Sequence, residues 1–173
     1  YTPAGNLDQS FAQGGARAIN SSSELFASAI DYQDKLVVAY NNGNNYLEIT
    51  RIEEDGSDVD PTFAGGIVTT EIQLQNGDNS NLGVIIDGSN NVIVVGVNQL
   101  SNNFSLAQYA SDGLLNGSVT TPSIALTNFR LTQLLVDQSG AVIVVGNDHS
   151  SQIVVARFVF NNGYYLDESF NGN

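Results

Sequence analysis

An all-β, propeller-like array of three four-stranded blades is the fold this sequence predicts, and three observations carry the prediction. First, a five-residue box recurs as Leu7-Asp8-Gln9-Ser10-Phe11, Val59-Asp60-Pro61-Thr62-Phe63, Leu115-Asn116-Gly117-Ser118-Val119 and Leu166-Asp167-Glu168-Ser169-Phe170, at intervals of 52, 56 and 51 residues. Periods of this order belong to propellers, solenoids and arrays. Second, each interval holds an apolar hairpin and a further strand-like run, with no convincing helix. Third, Asp, Asn and Gly punctuate these runs at matching places, where hairpins need Asx turns or positive φ. A solenoid with longer coils is the alternative architecture.

After the first box, residues 16–19 are expected to form a strand, matched in the next copies by residues 67–74 and 120–126. Residues 21–29 resemble a helix in isolation, but they align with strand positions in the other copies. That strand ends in Ala29-Ile30, Ile85-Ile86 or Leu135-Val136. Turns follow at Asp31-Tyr32-Gln33-Asp34, Asp87-Gly88-Ser89-Asn90-Asn91 and Asp137-Gln138-Ser139-Gly140. Next come apolar runs at residues 35–40, 92–96 and 142–146, whose β-branched residues predict strands buried on both faces. Polar loops at 41–45, 98–103 and 147–152 belong on the surface. An outer strand is predicted at 46–52, 104–109 and 153–158, and turns at Asp55-Gly56, Asp112-Gly113 and Asn162-Gly163 lead into the next box. The blades therefore span about 7–58, 59–114 and 115–165, with 166–173 opening a further repeat.

Box, preceding turn and hairpin together resemble the delta-60 repeat, a bacterial β-propeller-type repeat. Gly5, Leu7, Asp8, Ser10 and Phe11 carry the resemblance in the first copy, and Gly163, Leu166, Asp167, Ser169 and Phe170 in the partial last one. In the second, Asp55-Gly56, Asp60, Thr62 and Phe63 carry it. The third departs, with Asn116 for the aspartate and Val119 for the phenylalanine, so a charge there is not essential in every blade. The resemblance implies a fold and supplies no catalytic residue. Physically, the Asx side chain of the box suits capping of backbone amides in the link between blades, and the Phe or Val suits filling the space between sheets.

Eighteen acidic residues against five basic ones give a net charge of −13. Such a surface repels phosphate backbones and anionic lipid head groups, so neither nucleic acid nor membrane insertion is expected. No apolar run approaches the roughly 20 residues of a membrane helix. Cysteine is absent, which excludes disulfides and thiolate sites. Tyr1-Thr2-Pro3-Ala4-Gly5 aligns with Tyr109-Ala110-Ser111-Asp112-Gly113, so the first residues read as the tail of an earlier blade. Three blades do not close a ring, because propellers have about four to eight. Two kinds of partner follow: the remaining blades of a longer chain, or a second copy joined head to tail.

No catalytic, cofactor-binding or metal-binding residue is assigned. His149 reads as an exposed loop histidine, without the spatial evidence a triad requires. Glu53, Glu54, Asp55, Asp58 and Asp60, and the loop at residues 76–81, offer oxygen ligands to calcium but lack the order of an EF-hand. Tyr40, Tyr46, Tyr164 and Tyr165 prompt a carbohydrate-binding reading, since tyrosine presents an apolar body and a polar tip. Arg51 and Arg157 occupy equivalent places, with Gln108 between them, which predicts a polar group spanning adjacent elements. A glycosidase would need two converging acids, and sequence does not say which of the many converge. The resulting expectation is a non-enzymatic scaffold or protein-interaction module in a bacterial extracellular or envelope setting. A carbohydrate- or calcium-dependent binding module is the alternative.

Overall fold

The computed structural model describes residues 2–19, 26–74, 82–98, 103–120, 129–148 and 152–171. Within them lie β1 (Phe26–Ile30), β2 (Leu36–Asn41), β3 (Tyr46–Ile52), β4 (Ile67–Gln73), β5 (Leu82–Ile86), β6 (Val92–Asn98), β7 (Asn103–Tyr109), β8 (Arg130–Val136), β9 (Val142–Asn147), β10 (Ile153–Phe160) and β11 (Tyr164–Leu166). They form three antiparallel meanders, β1-β2-β3-β4, β5-β6-β7 and β8-β9-β10-β11. The fold is all-β and propeller-like, as the repeat predicted.

The hairpins sit where their turns placed them. In each, one carboxylate organises the bend: Asp31 accepts from the amides of Gln33 and Lys35, Asp87 from Ser89 and Asn91, and Asp137 from Ser139 and Ala141. This is the Asx-turn chemistry expected of an aspartate opening a tight turn.

Three strand expectations need correction. Residues 16–19 are not a strand. Instead Arg17 runs beside the loop that follows β3, donating to the carbonyls of Gly56 and Ser57 and to Asp58. The strand after the second box, β4, pairs with β3 (Ile49 opposite Val68), so it closes the sheet that precedes the box. Residues 164–166, which run from the expected turn at Asn162-Gly163 to the first residue of the box, form β11 against Phe158–Phe160 of β10. Of the strand expected at 120–126, Thr120 bridges to Leu106, and residues 121–128 lie outside the described residues.

Neighbouring sheets meet through two apolar cores. Successive strand residues face opposite ways, and β6 divides its side chains accordingly. Val92 and Val94 join Val37, Ala39, Leu47, Ile49 and Phe63 of the first sheet's side in one core. Ile93, Val95 and Val97 join Val142, Val144, Ala156 and Phe158 of the third sheet in the other. The middle sheet is thus buried on both faces, which explains its unbroken β-branched run. Gly96 replaces the tyrosine found at Tyr40 because a Cβ there would collide with Ile72 and Leu74 across the first core.

Candidate functional site

The box lies at the joint between sheets, and its backbone makes the same contact three times. The amide of its Asx residue donates to the outer strand: Asp60 to the Arg51 carbonyl, Asn116 to Gln108 and Asp167 to Arg157, at 2.7, 2.8 and 2.8 Å. Its leading residue then bridges to the same strand, Val59 to Ile52 and Leu115 to Tyr109, as Leu166 pairs with Phe158 in the third. The serine or threonine two places on donates both amide and hydroxyl to the carboxylate in the first, second and fourth boxes. Beyond the carboxylate, the box reaches the next sheet. The Ala12 amide donates to the Asp55 carbonyl and the Ala64 amide to Asp112, both at 2.7 Å, and Ser118 Oγ donates to the Asn162 carbonyl. Gly56 and Gly113 stand at positive φ, the first against the Phe11 ring and the second against Ala64 and the Phe63 backbone, where a side chain would be strained and would clash.

A polar clamp sits behind each joint. In the first sheet the Arg51 guanidinium, buried, donates Nε to Asp60 Oδ2 at 2.7 Å, Nη1 to Asp31 Oδ2 at 3.3 Å and Nη1 to the Ser111 carbonyl at 2.7 Å. Its carbon lies 4.9 Å from the centre of the Phe63 ring, a cation–π distance. Lys35 Nζ adds a second cation to Asp60 at 2.8 Å. Burial acts to raise the pKa of Asp60, but the hydrogen bonds from Lys35, Thr62 and Arg51 outweigh it and hold the carboxyl well below the usual range. In the second sheet Gln108 Nε2 donates to Asp87 Oδ2 at 3.0 Å, and Asn116 Nδ2 donates to Gln108 Oε1 at 2.7 Å. In the third, Arg157 pairs with both Asp137 and Asp167. The expected polar group spanning adjacent elements is therefore present in all three.

A cleft of about 770 Å³ is lined by Asp8, Ser10, Phe11, Glu53, Glu54, Asp55 and Ser57. Two segments that are far apart in sequence build it, the first box and the turn after β3. Its four carboxylates have different surroundings. The Ser10 hydroxyl and amide lower the pKa of Asp8, and the Ser57 hydroxyl and amide lower that of Asp55. Glu53 pairs with Lys35 Nζ at 2.9 Å. Glu54 is exposed and has no hydrogen-bond or ion-pair partner among the described residues.

The proposed calcium ligands do not converge on one ion. Asp60 is held by Arg51 and Lys35, Asp58 by Arg17, and Glu53 by Lys35. Among the described residues no group of three or more acidic or histidine side chains forms a metal shell. The tyrosines also separate: Tyr40 and Tyr164 are core residues, while Tyr46 and Tyr165 are exposed on different sheets. Burial, then the Glu48 carboxylate, pushes the Tyr40 hydroxyl up to about 12. His149 and the loop at 76–81 lie outside the described residues. Sequence reasoning found the acids at 53–55 but missed Asp8 beside them, because only the fold brings the first box to that turn.

No family model matches the chain, and no curated protein matches it. Solved structures do. An exo-β-1,3-galactanase from Clostridium thermocellum aligns with TM-score 0.53 at 12% identity, over 83% of this chain and 34% of its own. A putative exo-β-1,3-galactanase from Bifidobacterium bifidum aligns with TM-score 0.51 at 12% identity, over 96% and 54%. A mutant of AofleA from Arthrobotrys oligospora aligns with TM-score 0.55 at 12% identity, over 83% and 40%. The chain therefore spans between about a third and a half of these proteins. Their likeness establishes the fold they share with it, that of β-propeller enzymes in the case of the galactanases. The expectation of a non-enzymatic scaffold is corrected on this finding. It rested on the repeat alone, and the same blade architecture carries glycoside hydrolases.

Proposed function

We propose that the chain is part of a carbohydrate-active propeller whose reaction class is glycosidic-bond hydrolysis. The observation that carries this reading is the blade architecture shared with two galactanases over 83% and 96% of this chain. The acid-lined cleft supports it. Glycosidases use two carboxyl groups, one donating a proton to the leaving oxygen and one ionised. Asp8 and Asp55 stay ionised because serine donors stabilise their charge, and Glu54 is the carboxyl beside them without a partner among the described residues. In this reading Glu54 protonates the leaving oxygen and an aspartate supports the developing positive charge. Phe11 contributes an apolar wall. The three sheets are then three blades of a larger propeller.

Release of reducing ends from β-1,3-galactan oligosaccharides tests the proposal, with Glu54→Gln as the comparison. Loss of a general acid lowers the rate by about 10²–10⁴-fold. Substitution of an exposed residue leaves the fold intact, so thermal melting should not change. Undiminished turnover by Glu54→Gln rejects that residue, and no turnover or binding by the unsubstituted chain rejects the reaction class.

A further inference from the structure

The described residues show twice how one sheet receives the next, and they show the same receiving surface a third time with nothing on it. Leu47 and Ile49 on β3, and Phe104 and Leu106 on β7, are 0–1% exposed because the following sheet covers them. Their equivalents on β10 are Ile153 and Val155, four and two residues before Arg157 as the others are before Arg51 and Gln108. These are 80% and 47% exposed. The box follows the same rule: Phe63 is fully buried in the core with Leu47 and Ile49, whereas Phe170 is 46% exposed. Yet the fourth box is already folded, with a 3-10 turn at Glu168–Asn171 and Ser169 donating to Asp167.

We propose that Ile153, Val155 and Phe170 form a docking surface for one further blade of this repeat. The occupant is defined by the two joints already made. It presents a hairpin face of β-branched residues, as Val92 and Val94 do to Leu47 and Ile49, and an Asx-Gly turn with a free carbonyl, as Asp112-Gly113 does to Ala64. A second copy of this chain does not meet that description. Its first sheet carries the turn Asp55-Gly56, but that turn is already taken by Ala12, by Phe11 and by Arg17 of the same chain. Its charge of −13 adds repulsion between copies. The inference rests on packing alone and is independent of the substrate the propeller handles.

The test is a chain extended after Phe170 by a second copy of residues 64–120, which supplies a middle-sheet blade with its turn unoccupied. The extended chain should bind an apolar dye several-fold less than the original and melt at a Tm about 5 °C higher. With Ile153→Asp and Val155→Asp both changes should vanish. Unchanged dye binding and Tm in the extended chain overturn the proposal. In the original chain the same aspartates should abolish dye binding without lowering Tm, which keeps the proposal testable should the extension not fold; a lowered Tm there means the surface is already covered and overturns it. Sedimentation of the original chain should show a monomer, and a dimer dispersed by Ile153→Asp would identify a second copy as occupant and also overturn it.

Discussion

Arg51 in the first sheet and Gln108 in the second occupy the same register, and each holds a hairpin aspartate to the next box. The first clamp is ionic, with one guanidinium between Asp31 and Asp60; the second holds no cation, with the Gln108 amide between the Asp87 carboxylate and the Asn116 amide. Both centres are almost fully buried. What differs is that two positions change together: where the strand residue loses its charge, the box residue loses its own. A buried charge without its partner is expensive, whereas replacing both members is tolerated far better. The strand and box residues therefore change as a matched pair, and a charge on them is dispensable.

Breaking the ionic clamp should have the largest effect. Arg51→Ala leaves Asp31 and Asp60 without their guanidinium and strips the cation from Phe63, and removal of one member of a buried pair costs about 3–5 kcal/mol. Urea denaturation measures it. Phe63→Ala should approach the same loss, about 3–5 kcal/mol, because the ring is fully buried between two sheets. The corresponding change in the second clamp, Gln108→Ala, should cost about 1–3 kcal/mol, the penalty for buried polar groups left unpaired. An equal loss at Gln108 and Arg51 in parallel denaturation curves would erase the distinction between the clamps.

Acid should separate them as well. Hydrogen bonds hold the pKa of Asp60 below its value in an unfolded chain, about 3.9. Asp137, through the Ser139 hydroxyl and then Arg157, and Asp167, through the Ser169 hydroxyl and then Arg157, are lowered too. Each contribution is fully present above the unfolded pKa and is lost as pH falls through the folded one. Tm should therefore hold near neutrality and drop below about pH 4. A variant carrying Arg51→Gln with Asp60→Asn should show a shallower drop. The smallest effect belongs to Arg17→Ala, whose partner Asp58 is largely solvent-exposed. A Tm loss of no more than about 2 °C is expected there, diminishing further with salt.

Much of this was legible in the chain itself. Unbroken β-branched runs and Asx turns announced the hairpins, and the alignment of Arg51, Gln108 and Arg157 announced a repeated polar group. The membership of β4 was not legible, because a strand after a box pairs as well with the sheet behind as with the one ahead, and only tertiary packing decides. The clamp's third member, the hairpin aspartate, was hidden for a related reason. Asp31, Asp87 and Asp137 look like turn formers, and their second oxygen finds its partner 20 or 21 residues away. The acidic cleft depends on contact between residues 8–11 and 53–57, a proximity that no local pattern encodes. Function was least legible of all, since a repeat specifies how blades stack and leaves their rims open to many chemistries.

The matched-pair account is tested most directly by a double-mutant cycle on Arg51→Gln and Asp60→Asn, which gives the strand and box residues of the first clamp the identities they have in the second. Each single change should destabilise by removing one member of the buried pair, leaving Asp60 with Lys35 alone or Arg51 with Asp31 alone. The double variant should be more stable than the sum of the two losses allows, by about 1–3 kcal/mol, the range seen for residues in one buried network. Additive losses would mean that Arg51 and Asp60 stabilise the joint independently, and would contradict the account.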